Sequence, residues 1–195
     1  MKKAIVFLAD GFEEIEALTP VDYLRRSGVE VTVAGVSKKE IKGAHGICVC
    51  ADEVLDKEMI SAKYDALIVP GGMPGAANLA ADELVLDFLK DGEKRGAVLA
   101  AICAAPVVVF AKAGLLKNKH YTCYPGMEND LMKFAGENYA ALTEGSVHLE
   151  ERVVIDGSTV TSRGPGAAEE FALALVELLA GKAQKEVLHK GLVAR

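Results

Sequence analysis

Basic residues are too few and too dispersed in this 195-residue sequence to form a positively charged surface. Its 22 lysines and arginines are outnumbered by 28 aspartates and glutamates, which gives a formal net charge of −6. We therefore expect neither nucleic acid nor an anionic membrane as a partner. The longest apolar stretch, residues 97–111, is shorter than the roughly 18 to 20 residues of a spanning helix, and Pro106 interrupts it. The sequence predicts no membrane span.

Signals for secretion, disulfide frameworks and bound metals are also missing. Acidic residues from Asp10 onward cut the N-terminal apolar run short, unlike a signal peptide, so we expect a cytoplasmic protein. The four cysteines form no Cys-x-x-Cys motif, which predicts reduced thiols. The histidines lack His-x-x-x-His spacing, which predicts no metal site.

Cys48 and Cys50 share one side of a predicted strand; core packing and a soft-metal site with further ligands are the alternatives. The role of Cys123 stays open.

The sequence does contain a regular alternation of apolar strands and amphipathic helices. Its length and its 51% hydrophobic residues predict one domain over residues 1–195. Strands are predicted at residues 3–8, 30–36, 47–51, 66–70 and 97–102, and in a hairpin at 153–155 and 159–162 with Asp156-Gly157 as its turn. Helices are predicted to begin near residues 15, 82, 104 and 169, with a kink or a fresh start at Pro20. This order is typical of an α/β sandwich with a mostly parallel sheet.

Three loops follow predicted strands, and parallel strands place such loops at one edge of the sheet. They are residues 10–16, residues 71–75 and residues 103–106. Ligands of α/β proteins bind at that edge. The loops offer a thiol, carboxylic acids and a glycine pair, so the sequence predicts a site there.

Cys103 lies between a predicted strand and the start of a helix, among small alanines that permit a sharp turn. The N–H groups of a helix start favour a thiolate and lower the pKa of a cysteine. Cys103 is therefore either a nucleophile in a turn resembling a nucleophile elbow or a buried core cysteine. Glu16 is either its acid–base partner, with a pKa raised by burial, or a solvated residue like Glu13 and Glu14. The Gly71-Gly72 pair is an oxyanion cradle or a plain turn.

Several segments of the sequence match a known family in order and from end to end. They are Gly11-Phe12-Glu13-Glu14-Ile15-Glu16, Pro20-Val21-Asp22, Pro70-Gly71-Gly72, Ala100-Ala101-Ile102-Cys103-Ala104-Ala105-Pro106 and Thr161-Ser162-Arg163-Gly164-Pro165-Gly166. On these segments the chain resembles the ThiJ/PfpI superfamily, in its DJ-1 branch. The resemblance implies a flavodoxin-like three-layer sandwich, similar to class I glutamine amidotransferases, and a homodimer.

The resemblance also implies roles for individual residues. Cys103 is expected to be the oxidation-sensitive nucleophile and Glu16 its protonated partner. Backbone donors near the thiol are expected from Gly72 and Ala104. Arg26, Arg163 and Tyr124 are expected to organise the pocket, Arg163 across a dimer.

The sequence departs from the family pattern at three positions. Tyr124 stands where human-type members carry a histidine beside the cysteine, so we expect the proton transfer to rest on Glu16. Ala104 stands where the protease-like branch has a histidine, which argues against a peptidase. His45 replaces an arginine at the dimer-side rim, which leaves a contact across the dimer from that position open.

Two main functions follow from the resemblance and the residues together. The first is a cofactor-free enzyme of the glyoxalase III or protein deglycase type, in which Cys103 attacks methylglyoxal or a glycation adduct and Glu16 moves protons. Its partner is then a small carbonyl substrate or a glycated protein. The alternative is an oxidative-stress sensor or redox-regulated chaperone, with Cys103 oxidised to a sulfinic acid. A purely structural dimer is a third interpretation.

Overall fold

The computed structural model describes residues 1–193 as strands and helices in alternation. The strands are β1 Lys3–Leu8, β2 Glu30–Gly35, β3 Glu40–Lys42, β4 Cys48–Cys50, β5 Glu53–Val54, β6 Ala66–Val69, β7 Val98–Ile102, β8 His120–Tyr121, β9 Val147–His148, β10 Val153–Asp156 and β11 Thr159–Ser162. The α-helices are α1 Glu14–Arg26, α2 Gly75–Ala81, α3 Glu83–Arg95, α4 Ala111–Ala113, α5 Leu131–Ala135, α6 Tyr139–Leu142, α7 Ala168–Ala180 and α8 Lys182–Gly191. A π-helical segment, Pro106–Phe110, leads into α4, and 3-10 turns occupy Lys57–Ala62, Met127–Asp130 and Pro165–Ala167.

Seven strands form the central sheet in the order β10-β11-β7-β6-β1-β2-β5. All neighbouring pairs run parallel except the hairpin of β10 and β11. Helices α1, α7 and α8 pack on one another, and α2 to α6 form a second packed group around the π-helical segment. The predicted α/β sandwich with a mostly parallel sheet is confirmed.

The central strands are apolar along their length because helices cover both faces of the sheet. Every residue of β6 is buried, and β1 and β7 are buried except at their first residue. Phe7 of β1 meets Phe88 of α3 edge-on, with ring centroids 5.8 Å apart. This packing fixes the ends of β1, β6 and β7 beside one another.

The helices of this fold are of moderate length. The longest ones, α1, α3 and α7, each have 13 residues. Among the described residues, no helix has both the length and the apolar composition needed to cross a bilayer.

Three local predictions differ from the structure. Helix α1 continues through Pro20, so a fresh helix start there is wrong. The strand expected at residues 47–51 is shorter, and as β4 it pairs with β3 outside the central sheet. Asp156 is still part of β10, where it pairs with Thr159, so the hairpin turn is formed by residues 157–158. Gly157 supplies the positive φ of 61° that the turn requires.

Candidate active site

Three loops meet at the carboxyl edge of the sheet because β1, β6 and β7 are parallel neighbours. Gly71 lies between the loops: a Cβ on this residue would be 2.7 Å from the Cβ of Cys103 and 2.7 Å from Oε2 of Glu16. The N–H of Glu13 donates a hydrogen bond to the Gly71 carbonyl at 3.0 Å. The predicted meeting of the three loops is confirmed, and the site has room only for glycine at residue 71.

Cys103 occupies a sharp turn between β7 and the helical segment that begins at Pro106. Its φ of 65° lies in the left-handed region, which is uncommon for a residue with a side chain. The Cys103 N–H donates to the Ser162 carbonyl at 2.9 Å, and its own carbonyl accepts from the Tyr124 N–H at 2.8 Å. Neighbouring segments therefore hold the turn in place. Backbone strain of this kind is typical of nucleophile elbows.

Glu16 is fully buried in the first turn of α1, so the solvated alternative is wrong. Its Oε2 accepts a hydrogen bond from the Gly71 N–H at 2.9 Å, and its carboxyl lies beside the Cys103 thiol. Burial, reinforced by the charge of Glu13, raises the pKa of Glu16 to about 7. The raised pKa that acid–base chemistry requires of this residue is present.

The acidity of the Cys103 thiol differs from its prediction. Burial first, and then the facing Glu16 carboxylate, raise the pKa of Cys103. The backbone N–H groups of Gly72 and Ala104 act in the opposite direction and favour the ionised sulfur, but they are outweighed. The predicted lowering of the Cys103 pKa took only the helix start into account. It is wrong when Glu16 is ionised. A proton on Glu16 removes that repulsion, so the two groups titrate as one unit.

A cavity of about 390 Å³ opens beside Cys103 and is lined mostly by apolar atoms. Its lining residues are Gly72, Met73, Cys103, Ala104, Tyr124, Met127, Asp130, Lys133 and Phe134. Because Cys103 is only 9% exposed, a molecule that reaches its sulfur must enter this cavity. The residues of this wall between 127 and 134 are not predicted from the sequence, because their short helical turns carry no clear periodic pattern.

Tyr124 also borders a second cavity, of about 290 Å³. This second cavity is lined by Tyr124, Arg152 and residues 163–167, among others. Arg163 belongs to it and donates a hydrogen bond from its guanidinium to the Glu150 carbonyl at 2.8 Å. Arg163 is therefore a neighbour of the cavity at Cys103 and does not line it.

Arg26 lies away from both cavities. It is in the last turn of α1, ten residues and thus about 15 Å along the helix axis from Glu16. Its Nε forms an ion pair with Asp22 at 2.6 Å, and its side chain borders a surface depression next to α8. The expectation that Arg26 organises the pocket is therefore not met within this chain.

The three glutamates at the start of α1 have separate roles. Glu13 caps the helix by accepting a hydrogen bond from the Glu16 N–H at 2.8 Å. Glu14 accepts from the His45 backbone N–H and lies 2.8 Å from the His45 ring Nδ1. Only Glu16 faces Cys103.

The remaining cysteines lie outside the lining of the cavity. Cys48 and Cys50 are exposed on β4, so the expected core packing is wrong. Cys123 is buried beyond the end of β8, where burial and Glu128 raise its pKa to about 12. Among the described residues, Cys103 is the cysteine that a molecule in the cavity contacts.

Comparisons with known proteins agree with this architecture. A model of the DJ-1/PfpI family matches residues 2–178. Parkinson disease protein 7 homolog of Danio rerio is 41% identical over 181 residues, which cover 92% of this chain and 90% of that protein. Glutathione-independent glyoxalase DJR-1.2 of Caenorhabditis elegans is 36% identical over 195 residues, which cover 98% of this chain and 96% of that protein.

A solved structure extends the likeness to three dimensions. Oxidized DJ-1 of Toxoplasma gondii matches with a TM-score of 0.88 and 34% identity, covering 100% of this chain and 99% of that chain. This likeness confirms the flavodoxin-like fold that the sequence motifs implied. The chain belongs to the DJ-1/PfpI family.

Proposed function

We propose that this chain is a cofactor-free glyoxalase that converts methylglyoxal and similar 2-oxoaldehydes to 2-hydroxy acids. The observation that carries the proposal is the Cys103–Glu16 pair at the cavity, whose carboxyl has a pKa of about 7. The relative named as a glutathione-independent glyoxalase supports it. The cavity volume of about 390 Å³ suits a small substrate. The same thiol serves deglycation, in which the carbonyl group comes from a glycation adduct of a small molecule or a protein.

The reaction begins with a thiol on Cys103 and a carboxylate on Glu16, which takes the thiol proton as the sulfur attacks. The sulfur attacks the aldehyde carbon, a C–S bond forms, and Glu16 protonates the aldehyde oxygen. The Glu16 carboxylate then removes the hydrogen of that carbon and delivers it to the neighbouring ketone carbon, while the hydroxyl proton passes to the ketone oxygen. Water hydrolyses the resulting thioester and restores the thiol. Methylglyoxal and water thus give lactic acid with no oxidant or reductant.

Two backbone groups assist the first step. The N–H groups of Gly72 and Ala104 favour negative charge on the sulfur as it loses its proton. In this mechanism they also stabilise the charge that develops on the aldehyde oxygen. Gly72 has a φ of 88°, which orients its N–H toward the site and excludes a side chain there.

Turnover of methylglyoxal by variants tests the enzyme proposal. We expect Cys103→Ser to lower kcat/KM by at least ~100-fold, because the hydroxyl is a poor nucleophile without a strong base. Glu16→Gln retains the hydrogen bond from Gly71 but cannot transfer protons, so a loss of about 100-fold or more is expected. Cys50→Ser on β4 is the matched control and should match the wild type. Turnover retained by Cys103→Ser at equal purity contradicts the mechanism.

A second function, the sensing of peroxide, is favoured by the same pair and by the relative from Toxoplasma gondii solved in an oxidized form. Two peroxide molecules oxidise the Cys103 thiolate to a sulfinate and are reduced to water, and a protonated Glu16 donates to a sulfinate oxygen. Intact-mass analysis after graded peroxide should show two oxygens added at Cys103 before Cys48 or Cys50 reacts. Uniform oxidation of the exposed cysteines first argues against the sensor. For a redox-regulated chaperone, oxidation of Cys103 must also change how well the protein suppresses the aggregation of a client protein.

We also propose a homodimer formed through the start of α1. Ile15, Leu18 and Ile47 are 54%, 36% and 54% exposed, and Ile15 and Ile47 border one depression with His45. A second copy of this chain covers these side chains. Sedimentation equilibrium should show a dimer for the wild type and a monomer for Ile47→Asp, with Met132→Asp on α5 as the control. A monomeric wild type contradicts the proposal.

A reducing compartment fits this chain. Exposed Cys48 and Cys50 are free thiols, which persist in the cytoplasm and are rare in secreted proteins. We therefore place the protein in the cytoplasm.

A further inference from the structure

A cluster of three chemically different side chains lies outside the pair at Cys103. The Sγ of Cys123, a carboxylate oxygen of Glu128 and a ring nitrogen of His148 all lie within 4.8 Å of one another. Cys123 follows β8, Glu128 belongs to a 3-10 turn, and His148 ends β9. The three residues span 26 positions of the sequence, which is why no local motif reveals them.

The fold holds the His148 ring in place. Strands β8 and β9 pair so that Tyr121 is opposite His148, and their rings pack with centroids 5.5 Å apart. The Nε2 atom of His148 is buried and has no hydrogen-bond partner among the described residues. A buried polar atom without a partner carries an energetic cost unless a ligand satisfies it.

We propose that Cys123, Glu128 and His148 bind a borderline-soft divalent metal ion of the Zn²⁺ type. Sulfur, imidazole nitrogen and carboxylate oxygen are the donors that zinc takes in tetrahedral sites. Zn–S and Zn–O bonds of about 2.3 and 2.1 Å place sulfur and oxygen about 3.6 Å apart at a tetrahedral centre. The Sγ of Cys123 and Oε2 of Glu128 are 3.9 Å apart, so a few tenths of an ångström of movement suffices.

The alternative is a hydrogen bond from the Cys123 thiol to Glu128 and nothing more. That contact accounts for two of the three groups, but it leaves the buried Nε2 of His148 without a partner. A bound ion takes one donor atom from each of the three residues: it displaces the thiol proton, which leaves to solvent, and His148 coordinates through a ring nitrogen as neutral imidazole. Three protein ligands leave a fourth position for water.

The ion would also connect the two ends of a segment that forms the cavity wall. Residues 123–148 contribute Tyr124, Met127, Lys133 and Phe134 to the cavity beside Cys103. The Tyr124 N–H, one residue after Cys123, donates to the Cys103 carbonyl at 2.8 Å. Metal binding therefore orders this wall, whichever chemistry Cys103 performs, so the inference does not depend on the proposed glyoxalase.

Cobalt substitution tests the site directly. The full chain carrying Cys103→Ser, which removes the competing thiol, is titrated with Co²⁺ under reducing conditions and followed by absorption. We expect one equivalent to produce a thiolate-to-cobalt charge-transfer band with the d–d intensity of four-coordination, and one equivalent of Zn²⁺ to abolish it. Adding Cys123→Ser should remove the band, and adding Glu128→Gln or His148→Gln should weaken binding at least about 10-fold.

The controls separate this site from surface binding. Adding Cys48→Ser or Cys50→Ser should leave the band and the affinity unchanged, and circular dichroism verifies that each variant is folded. A missing band, or a band that disappears with Cys48 or Cys50 and survives Cys123→Ser, overturns the proposal. An unchanged affinity in His148→Gln also overturns it, because His148 is then no ligand.

Discussion

Replacing Glu16 with glutamine isolates the free-energy cost of burying an ionisable carboxyl at the site. Glutamine has the same shape and still offers an oxygen to the Gly71 N–H, which bonds Glu16 at 2.9 Å. It carries no charge at any pH. The stability of the two proteins should therefore differ in a pH-dependent way, and the sign of the difference follows from the raised pKa of Glu16.

The magnitude follows from the pKa of about 7 in the folded protein against the ordinary value of 4.5. At about 1.4 kcal/mol per pH unit, ionised Glu16 destabilises the folded state by about 3 kcal/mol. Below pH 4.5 the carboxyl is protonated in both states and the cost is absent. As the pH rises, the unfolded chain ionises first, so stability falls until the folded carboxyl ionises near pH 7. Between about pH 5 and pH 8.5 the Glu16→Gln protein should gain roughly 2 to 3 kcal/mol relative to the wild type.

Urea unfolding followed by circular dichroism measures this difference at a series of pH values, with a reducing agent and a fixed protein concentration. Glu14→Gln is the matched control because Glu14 also lies in the first turn of α1 with little exposure, but its pKa is lowered: hydrogen bonds from His45 outweigh the effect of burial. Above pH 4.5 that variant should be less stable than the wild type, and the difference should disappear as the pH falls below 4.5, which is the opposite sign. A Glu16→Gln difference that is flat from pH 5 to 8.5 refutes the reasoning.

Three further predictions concern the same site and the core. The alkylation rate of Cys103 should rise only above the pH at which an ordinary cysteine ionises, whereas Glu16→Gln, which removes the repelling carboxylate, should shift this rise downward by more than about one pH unit; identical pH profiles contradict the coupling of the two groups. Gly71→Ala should lower kcat/KM by at least ~10-fold, because the new methyl group lies 2.7 Å from the Cβ of Cys103 and 2.7 Å from Oε2 of Glu16. If this variant turns over substrate as fast as the wild type, the site is less closely packed than described. Phe88→Ala should lower the free energy of unfolding in urea by about 3 to 5 kcal/mol, because it removes the ring that packs against Phe7 and leaves a cavity in the core. A loss below about 1 kcal/mol means that the core closes over the gap.

Much of the fold could be predicted from the sequence because its central strands are continuous apolar runs. β1, β6 and β7 are buried on both faces, so their composition alone identifies them. Strands of two or three residues such as β5, β8 and β9 are too short for any periodicity. Helix α2 is not predicted from the sequence, because it is short, consists mostly of alanine and has no clear polar face.

Without the family resemblance, the site could be predicted only as a meeting of loops. The order of the strands in the sheet cannot be read from local sequence patterns. Any parallel arrangement, however, brings the turns after β1, β6 and β7 to one edge of the sheet. The choice of Glu16 over Glu13 and Glu14 depends on which helical face meets Gly71, and spacing does not show this. The prediction of a lowered pKa for Cys103 is wrong for a related reason. The helix start is visible in the sequence, whereas the burial of the thiol and the facing carboxylate are not.

The left-handed turn at Cys103 has a consequence for how this protein tolerates mutation. Glycine adopts a φ of 65° without steric cost, whereas a residue with a side chain pays for it. Selection for heat resistance alone therefore favours Cys103→Gly, and only a need for the sulfur opposes this change. A library sorted for survival at high temperature should accumulate robust proteins that have lost their chemistry at this one position.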